Sequence, residues 1–263
     1  MRLRCAKEHV AWADQLDFPL IWIRARRWAE STDQNEQHTA TGRGTAEKDS
    51  RPVKSTDELG TAWRSISLPG VALDTSSWEG LHVYTDRLCL RTPTPQDANA
   101  LYGLFTDSEV MHGLGKEPVS AVEEARAIVD GGIDSWRTDG LGPFIIETAA
   151  DKRQVVGQAG LMIFDTRGWT PSNWTDAGSY AQPELGWALV RAHWGHGYAT
   201  EAAAAIREWA HQWRSIDRLV SLISPDNARS QRVAQRLGAI PTETITSVDS
   251  QRRSVVWRYP AGS

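Results

Sequence analysis

The 263-residue chain is 40% hydrophobic and 24% charged, with a formal net charge of −4 at pH 7. That leaves room for one large domain or two small ones, and it disfavours partners drawn by strong positive charge, such as nucleic acid or an acidic membrane. No apolar run reaches the ~20 residues that span a bilayer, and Asp14, Gln15 and Asp17 interrupt the apolar segment that a signal peptide would need. Cys5 and Cys89 lie far apart, which suggests neither a disulfide framework nor a metal site and fits a reducing cytoplasm. Cys89 reads as a small buried hydrophobe.

Residues 1–80 differ in texture from the rest. Residues 30–61 are dominated by Ser, Thr, Gln, Glu, Lys, Asp and Gly, which cannot bury enough apolar surface to offset the entropy of ordering, so disorder is expected there. Residues 18–29 form a basic, tryptophan-bearing segment, readable as an amphipathic helix for a membrane surface or partner, or as a tail without selected structure.

From Leu81 the elements alternate with short connections, the pattern of a mixed α/β (α+β) domain over residues 81–260. Alternation over 84–91 predicts a strand, and Pro95 introduces a helix over 96–105. Ser120 and Glu123 have capping-box spacing and open a second helix toward Trp136, with a bend expected at Gly131-Gly132. Strands follow at 144–148 and 155–164, then a long Gly/Pro/Ser/Asn-rich loop over 165–182 of a kind that often covers a substrate. A strand over 184–190, a glycine turn and an alanine-rich helix come next. The chain closes with a strand at 218–223, a helix over 227–237 ended by Gly238, and a hairpin of 242–248 with 254–259.

The centre of this pattern is Trp194-Gly195-His196-Gly197-Tyr198-Ala199-Thr200. The first turn of a helix has backbone N–H groups without intrahelical partners, and they lie at the positive end of the helix dipole. Gly195 and Gly197 permit backbone conformations closed to other residues and keep side chains out of the way, so the amides of Gly195, His196, Gly197, Tyr198, Ala199 and Thr200 can cradle a phosphate. The plain alternative is an ordinary glycine turn. A dinucleotide fold is disfavoured because G-x-G-x-x-G is absent, and no Walker-type phosphate loop is present.

The run Trp194 to Ala199 resembles the acetyl-CoA pyrophosphate loop of the GNAT N-acetyltransferases, and within them the branch that includes the ribosomal-protein N-terminal acetyltransferases. Trp194 stands where the family pattern has Gln or Arg, while Gly197 and Ala199 match its two small positions. The resemblance extends from about Leu81 to Tyr259 and implies an acyl-CoA N-acyltransferase fold, a mixed central sheet of about seven strands flanked by helices.

Acetyl-CoA as co-substrate and a primary amine as acceptor follow from the same resemblance. No nucleic-acid partner is expected, and a homodimer is compatible with the sequence. A second match, Asn227-x-x-Ser230 with Gly238 eleven positions after the Asn, implies that Asn227 bonds the pantetheine arm, beside its ordinary capacity as a helix N-cap.

Many relatives carry a tyrosine seven residues after this Asn to protonate the leaving thiolate. Here that position is Ala234, and Ser230 is the implied replacement. Glu184 is the candidate base for a protonated amine. Leu189 or Val190 is expected to offer a free backbone N–H to the thioester carbonyl where the central strand splays at a bulge. His193 and His196 flank the loop, and Asp107, Glu109 and His112 occupy a region where the family builds its acceptor site and are read as recognising a cationic amine. The competing reading is a non-catalytic acyl-CoA-binding module.

Overall fold

The computed structural model describes Leu20–Trp22, residues 78–150 and residues 152–261. The disorder expected at 30–61 lies outside the described residues. Leu20–Trp22 (β1) is a strand paired in parallel with His82–Tyr84 (β2), so the helix reading of residues 18–29 does not hold there.

The strand expected at 84–91 is two strands, because the chain reverses after Tyr84 and returns as Leu88–Arg91 (β3), antiparallel to β2. Helix α1 (Asp97–Phe105) is followed by α2 (Ser108–Leu114), which the sequence reading passed over. Asp107 caps α2 by accepting from the amides of Glu109 and Val110. Helix α3 (Val122–Asp139) runs through Gly131-Gly132 without a break. Gly132 is needed for proximity instead: a Cβ there would sit 2.6 Å from Pro143 Cγ. The expected box is displaced by one residue, with Ser120 N and Oγ bonding Glu124 at 2.9 and 2.8 Å while Ala121 occupies the N-cap.

Strands β4 (Pro143–Thr148) and β5 (Val155–Asp165) form the next hairpin. The segment expected to be an open loop folds back on β5 as β6 (Thr170–Ser172), then makes a short helix α4 (Trp174–Ala177) and a 3₁₀ turn. The remaining elements are β7 (Ala181–Leu189), α5 (Tyr198–Arg214), β8 (Val220–Ile223), α6 (Ala228–Arg236), β9 (Ile240–Thr246) and β10 (Arg253–Arg258). The sheet order is β1-β2-β3-β4-β5-β7-β8-β10-β9, with β6 paired to β5. Ten strands replace the seven expected because the first strand divides and β1 and β6 join.

Helices cover both faces. Leu101, Leu104 and Phe105 of α1, Val110 and Met111 of α2, and Val129 and Ile133 of α3 pack against Ile145 and Ala188. On the other face, Ala202, Ile206 and Trp209 of α5 meet Phe144, Leu161 and Leu185. Trp209 stacks edge-on against Phe144 at 5.2 Å and lies 5.6 Å from Trp136, whose Nε1 donates to Pro143 O. Trp209 is 1% exposed, so Trp209→Ala is expected to cost about 3–5 kcal/mol through the cavity it leaves. A urea melt reads this as a lowered midpoint at unchanged slope.

Candidate active site

β5 and β7 are in continuous register from Asp165↔Ala181 to Gly157↔Leu189. β7 and β8, by contrast, register only at Glu184↔Val220. Around that point Ser221 Oγ donates to Leu185 O and Leu222 N donates to Glu184 Oε1 at 3.3 Å. Past these ties the two parallel strands diverge.

The cleft between them is a cavity of about 480 Å³, a size suited to a small-molecule site. Its wall includes Trp187, Leu189, Trp194, Thr200, Asn227 and Ser230. The bulge expected in β7 is instead in β5, where pairing to β4 shifts between Ile146 and Glu147.

Alternation along β7 then decides between the two candidate donors. Val190 N donates to Val156 O at 2.9 Å, so Val190 is not a free donor. In an antiparallel ladder the next amide points the other way. The N–H of Leu189 is therefore directed away from β5, toward the cleft.

The glycine turn lies at the mouth of the cavity. Gly195 has φ +80 and Gly197 φ +79, and Gly197 is the N-cap of α5 without any side-chain cap. The amides of Gly195 through Thr200 donate to no acceptor among the described residues, and Glu201 N is the first to bond, to Gly197 O at 3.0 Å. Buried Thr200 Oγ1 also has no partner. Six unpaired amides and an unpaired hydroxyl at the positive end of a 17-residue helix fit a diphosphate.

Arg87 holds this turn from outside. Its Nη1 donates to His196 O at 2.9 Å, its Nε donates to Glu201 Oε2 at 2.6 Å, and its guanidinium lies 5.0 Å from the Tyr198 ring centroid. His196 is exposed and stacks on Tyr198 at 5.7 Å, and its ring is not part of the cavity wall. His193, Gly195, Gly197, Tyr198 and Ala199 are part of it.

Asn227 caps α6, accepting from Ser230 N at 3.1 Å, and both residues line the cavity. Ala234, one turn further on, is fully buried in the core. Glu184 is on the α1/α2/α3 side of β7. Solvent reaches part of the residue, yet burial of the carboxyl raises its pKa to about 7, against the Leu222 N–H and the Arg252 guanidinium, which favour ionisation. Five residues of strand separate it from Leu189, about 17 Å at 3.4 Å per residue.

Two expectations about the acceptor side are corrected. Asp107 pairs with Arg191 at 2.6 Å, and Glu109 pairs with Arg191 at 2.8 Å and Arg229 at 2.5 Å. Both carboxylates are thus committed to arginines, not free to meet a cationic amine; the bond from Arg191 also holds the Asp107 pKa below its ordinary value. Arg191 and Arg229 further flank the Trp194 ring at 5.7 and 4.7 Å. None of residues 165–182 lines the cavity. Sequence reasoning missed Arg87 and Arg191, whose partners are distant in the chain, and the arginines of α6, whose spacing was legible.

The acetyltransferase (GNAT) domain family model matches residues 87–240, which contain the cleft and the glycine turn. The chain belongs to the GNAT acetyltransferase family. This N-acetyltransferase is 31% identical over 167 residues to the Bacillus subtilis protein YkkB, covering 61% of this chain and 86% of that one. An acetyltransferase structure from Agrobacterium tumefaciens is similar with a TM-score of 0.55 at 27% identity, over 68% of this chain and 94% of that one. The microcin C7 self-immunity acetyltransferase MccE, solved with acetyl-CoA and AMP, shares the fold at a TM-score of 0.52 and 17% identity, over 66% of this chain and 93% of that one.

Proposed function

We propose that this acetyltransferase moves an acetyl group from acetyl-CoA to a primary amine, of a small molecule or a protein N-terminus, by direct attack within a ternary complex. The observation that carries the reading is the set of unpaired amides from Gly195 to Thr200 opening on the 480 Å³ cleft. MccE, with acetyl-CoA bound, supports the choice of donor.

Residues 81–260 form the catalytic domain in this reading, and Leu20–Trp22 adds an edge strand to its sheet from outside that range. The run from Trp194 to Ala202 supports the ribosomal-protein N-terminal acetyltransferase branch. A cytoplasmic setting is supported by the low cysteine count of two.

Acetyl-CoA supplies an acetyl group already activated on a thiol. The chain binds and orients it. The amides of Gly195 to Thr200 hold the diphosphate, Asn227 bonds the pantetheine arm, and the Leu189 N–H stabilises negative charge on the thioester oxygen.

Glu184 takes the amine's proton. Its distance from Leu189 requires a chain of several waters to carry the proton, and its pKa near 7 balances basicity against availability of the ionised form. Ser230 donates a hydrogen bond to the departing thiolate and relays to it a proton taken from water, a modest demand because a free thiol has a pKa near ~8.5.

Mass spectrometry of an amine library incubated with protein and acetyl-CoA tests the proposal, with release of free thiol as a parallel readout. A mass gain of one acetyl group on particular amines is the expected result. Saturable acetyl-CoA binding without thiol release across the library would reject turnover and leave a binding module.

A further inference from the structure

Three arginines of α6, Arg229, Arg232 and Arg236, line the cleft. They recur at i, i+3 and i+7, and with Ser230 and Val233 they form one helical face turned toward the cavity. Their surroundings differ. Arg229 is occupied by Glu109 and by the Trp194 ring. Arg232 and Arg236 are exposed and pair with no carboxylate or ring among the described residues.

The acids in the same wall are Glu109, already shared by Arg191 and Arg229, and Asp226 beside the start of the helix. Two unneutralised cations one turn apart repel each other, and an anion between them removes that cost. The planar guanidinium fork suits a phosphate, which offers several acceptor oxygens at once.

We infer that Arg232 and Arg236 bind the 3′-phosphate of the CoA ribose and select the 3′-phosphorylated coenzyme over its dephospho form. The assignment rests on the acetyl-CoA reading and adds a second anion site to it. Polarity along α6 gives the order of contacts. Asn227 at the N-terminal end serves the pantetheine arm, and the helix rise of about 1.5 Å per residue puts Arg232 ~7 Å and Arg236 ~13 Å beyond it, toward the nucleotide end of the ligand. The amides of Gly195 to Thr200 are left for the diphosphate between.

Calorimetric titration of the full chain with acetyl-CoA and with 3′-dephospho-acetyl-CoA separates the possibilities. The parent is expected to bind acetyl-CoA about ten- to fifty-fold more tightly, the scale of charge-assisted bonds to an exposed phosphate. In Arg232→Ala/Arg236→Ala the two affinities should fall within about two-fold of each other, through weakened acetyl-CoA binding alone. Added salt should shrink the parent's preference and leave the variant's unchanged.

Equal affinity of the parent for both ligands, or equal weakening of both in the variant, overturns the assignment while the acetyl-CoA reading stands. If the folded parent binds neither ligand, that reading fails and the assignment with it. A thermal melt establishes that the double variant is folded, as expected for two exposed positions.

Discussion

Gly197→Val is expected to remain folded while acetyl-CoA affinity falls by two orders of magnitude or more. Gly197 has φ +79, where a β-branched residue is strained by about 1–3 kcal/mol. Its added Cβ would also stand 3.4 Å from Arg87 Nη2. Relief comes from rotating φ toward negative values, and that rotation swings the amides of Gly197 and Tyr198 away from their shared focus.

Each charge-assisted amide-to-phosphate bond contributes about 1.5–3 kcal/mol, so losing two costs ~3–6 kcal/mol, which exceeds a hundred-fold in Kd. Gly195→Ala should be milder. Nothing lies within 4 Å of its Cβ, and the penalty there is confined to φ +80. Titration calorimetry gives both affinities, and a thermal melt separates lost binding from lost folding. Parental affinity in a folded Gly197→Val protein would remove the phosphate cradle from the mechanism.

Glu184→Gln is the second large effect. The amide is nearly isosteric and its oxygen can still accept from Leu222 N, so the splay between β7 and β8 should survive. Catalysis should not, because an amide cannot accept the amine's proton at neutral pH. A loss of about 10²–10⁴ in kcat, the usual contribution of general base catalysis, is expected, with a far smaller change in acetyl-CoA affinity.

The pH profile gives the sharper reading. In the parent, kcat/KM should rise as the carboxyl ionises near pH 7 and then level off, and that step should vanish in the variant. Stability moves the opposite way. A carboxyl whose folded-state pKa lies above its unfolded value binds more protons when folded, so between about 4.5 and about 7 the parent loses stability as pH rises. Glu184→Gln lacks this dependence and should gain on the parent above pH 7. A variant with the parental rate and pH profile would take Glu184 out of the proton path.

These tests depend on features that were legible to different degrees in the sequence. The glycine turn and α5 were predicted where they occur, because positive φ, free helix amides and an alanine-rich run are local properties. Asn227 followed by a short helix and Gly238 was legible for the same reason, since a cap and a C-terminal signal need only their neighbours. The box at Ser120 was displaced by one residue, because Glu124 reaches the Ser120 backbone that Glu123 was expected to meet.

By itself, the sequence determined the order of the larger elements, though not β1, α2, β6 or α4, together with the mixed α/β class and the anion-binding turn, all of which follow from periodicity and backbone chemistry within a few residues. Tertiary structure alone decided that β7 parts from β8 after Glu184, that Val190 is already bonded while Leu189 faces the cleft, and that Asp107 and Glu109 are held by arginines 84 and 120 positions away. Strand register, ladder alternation and ion pairing between distant segments depend on which backbones become neighbours, and no local window of the chain carries that information.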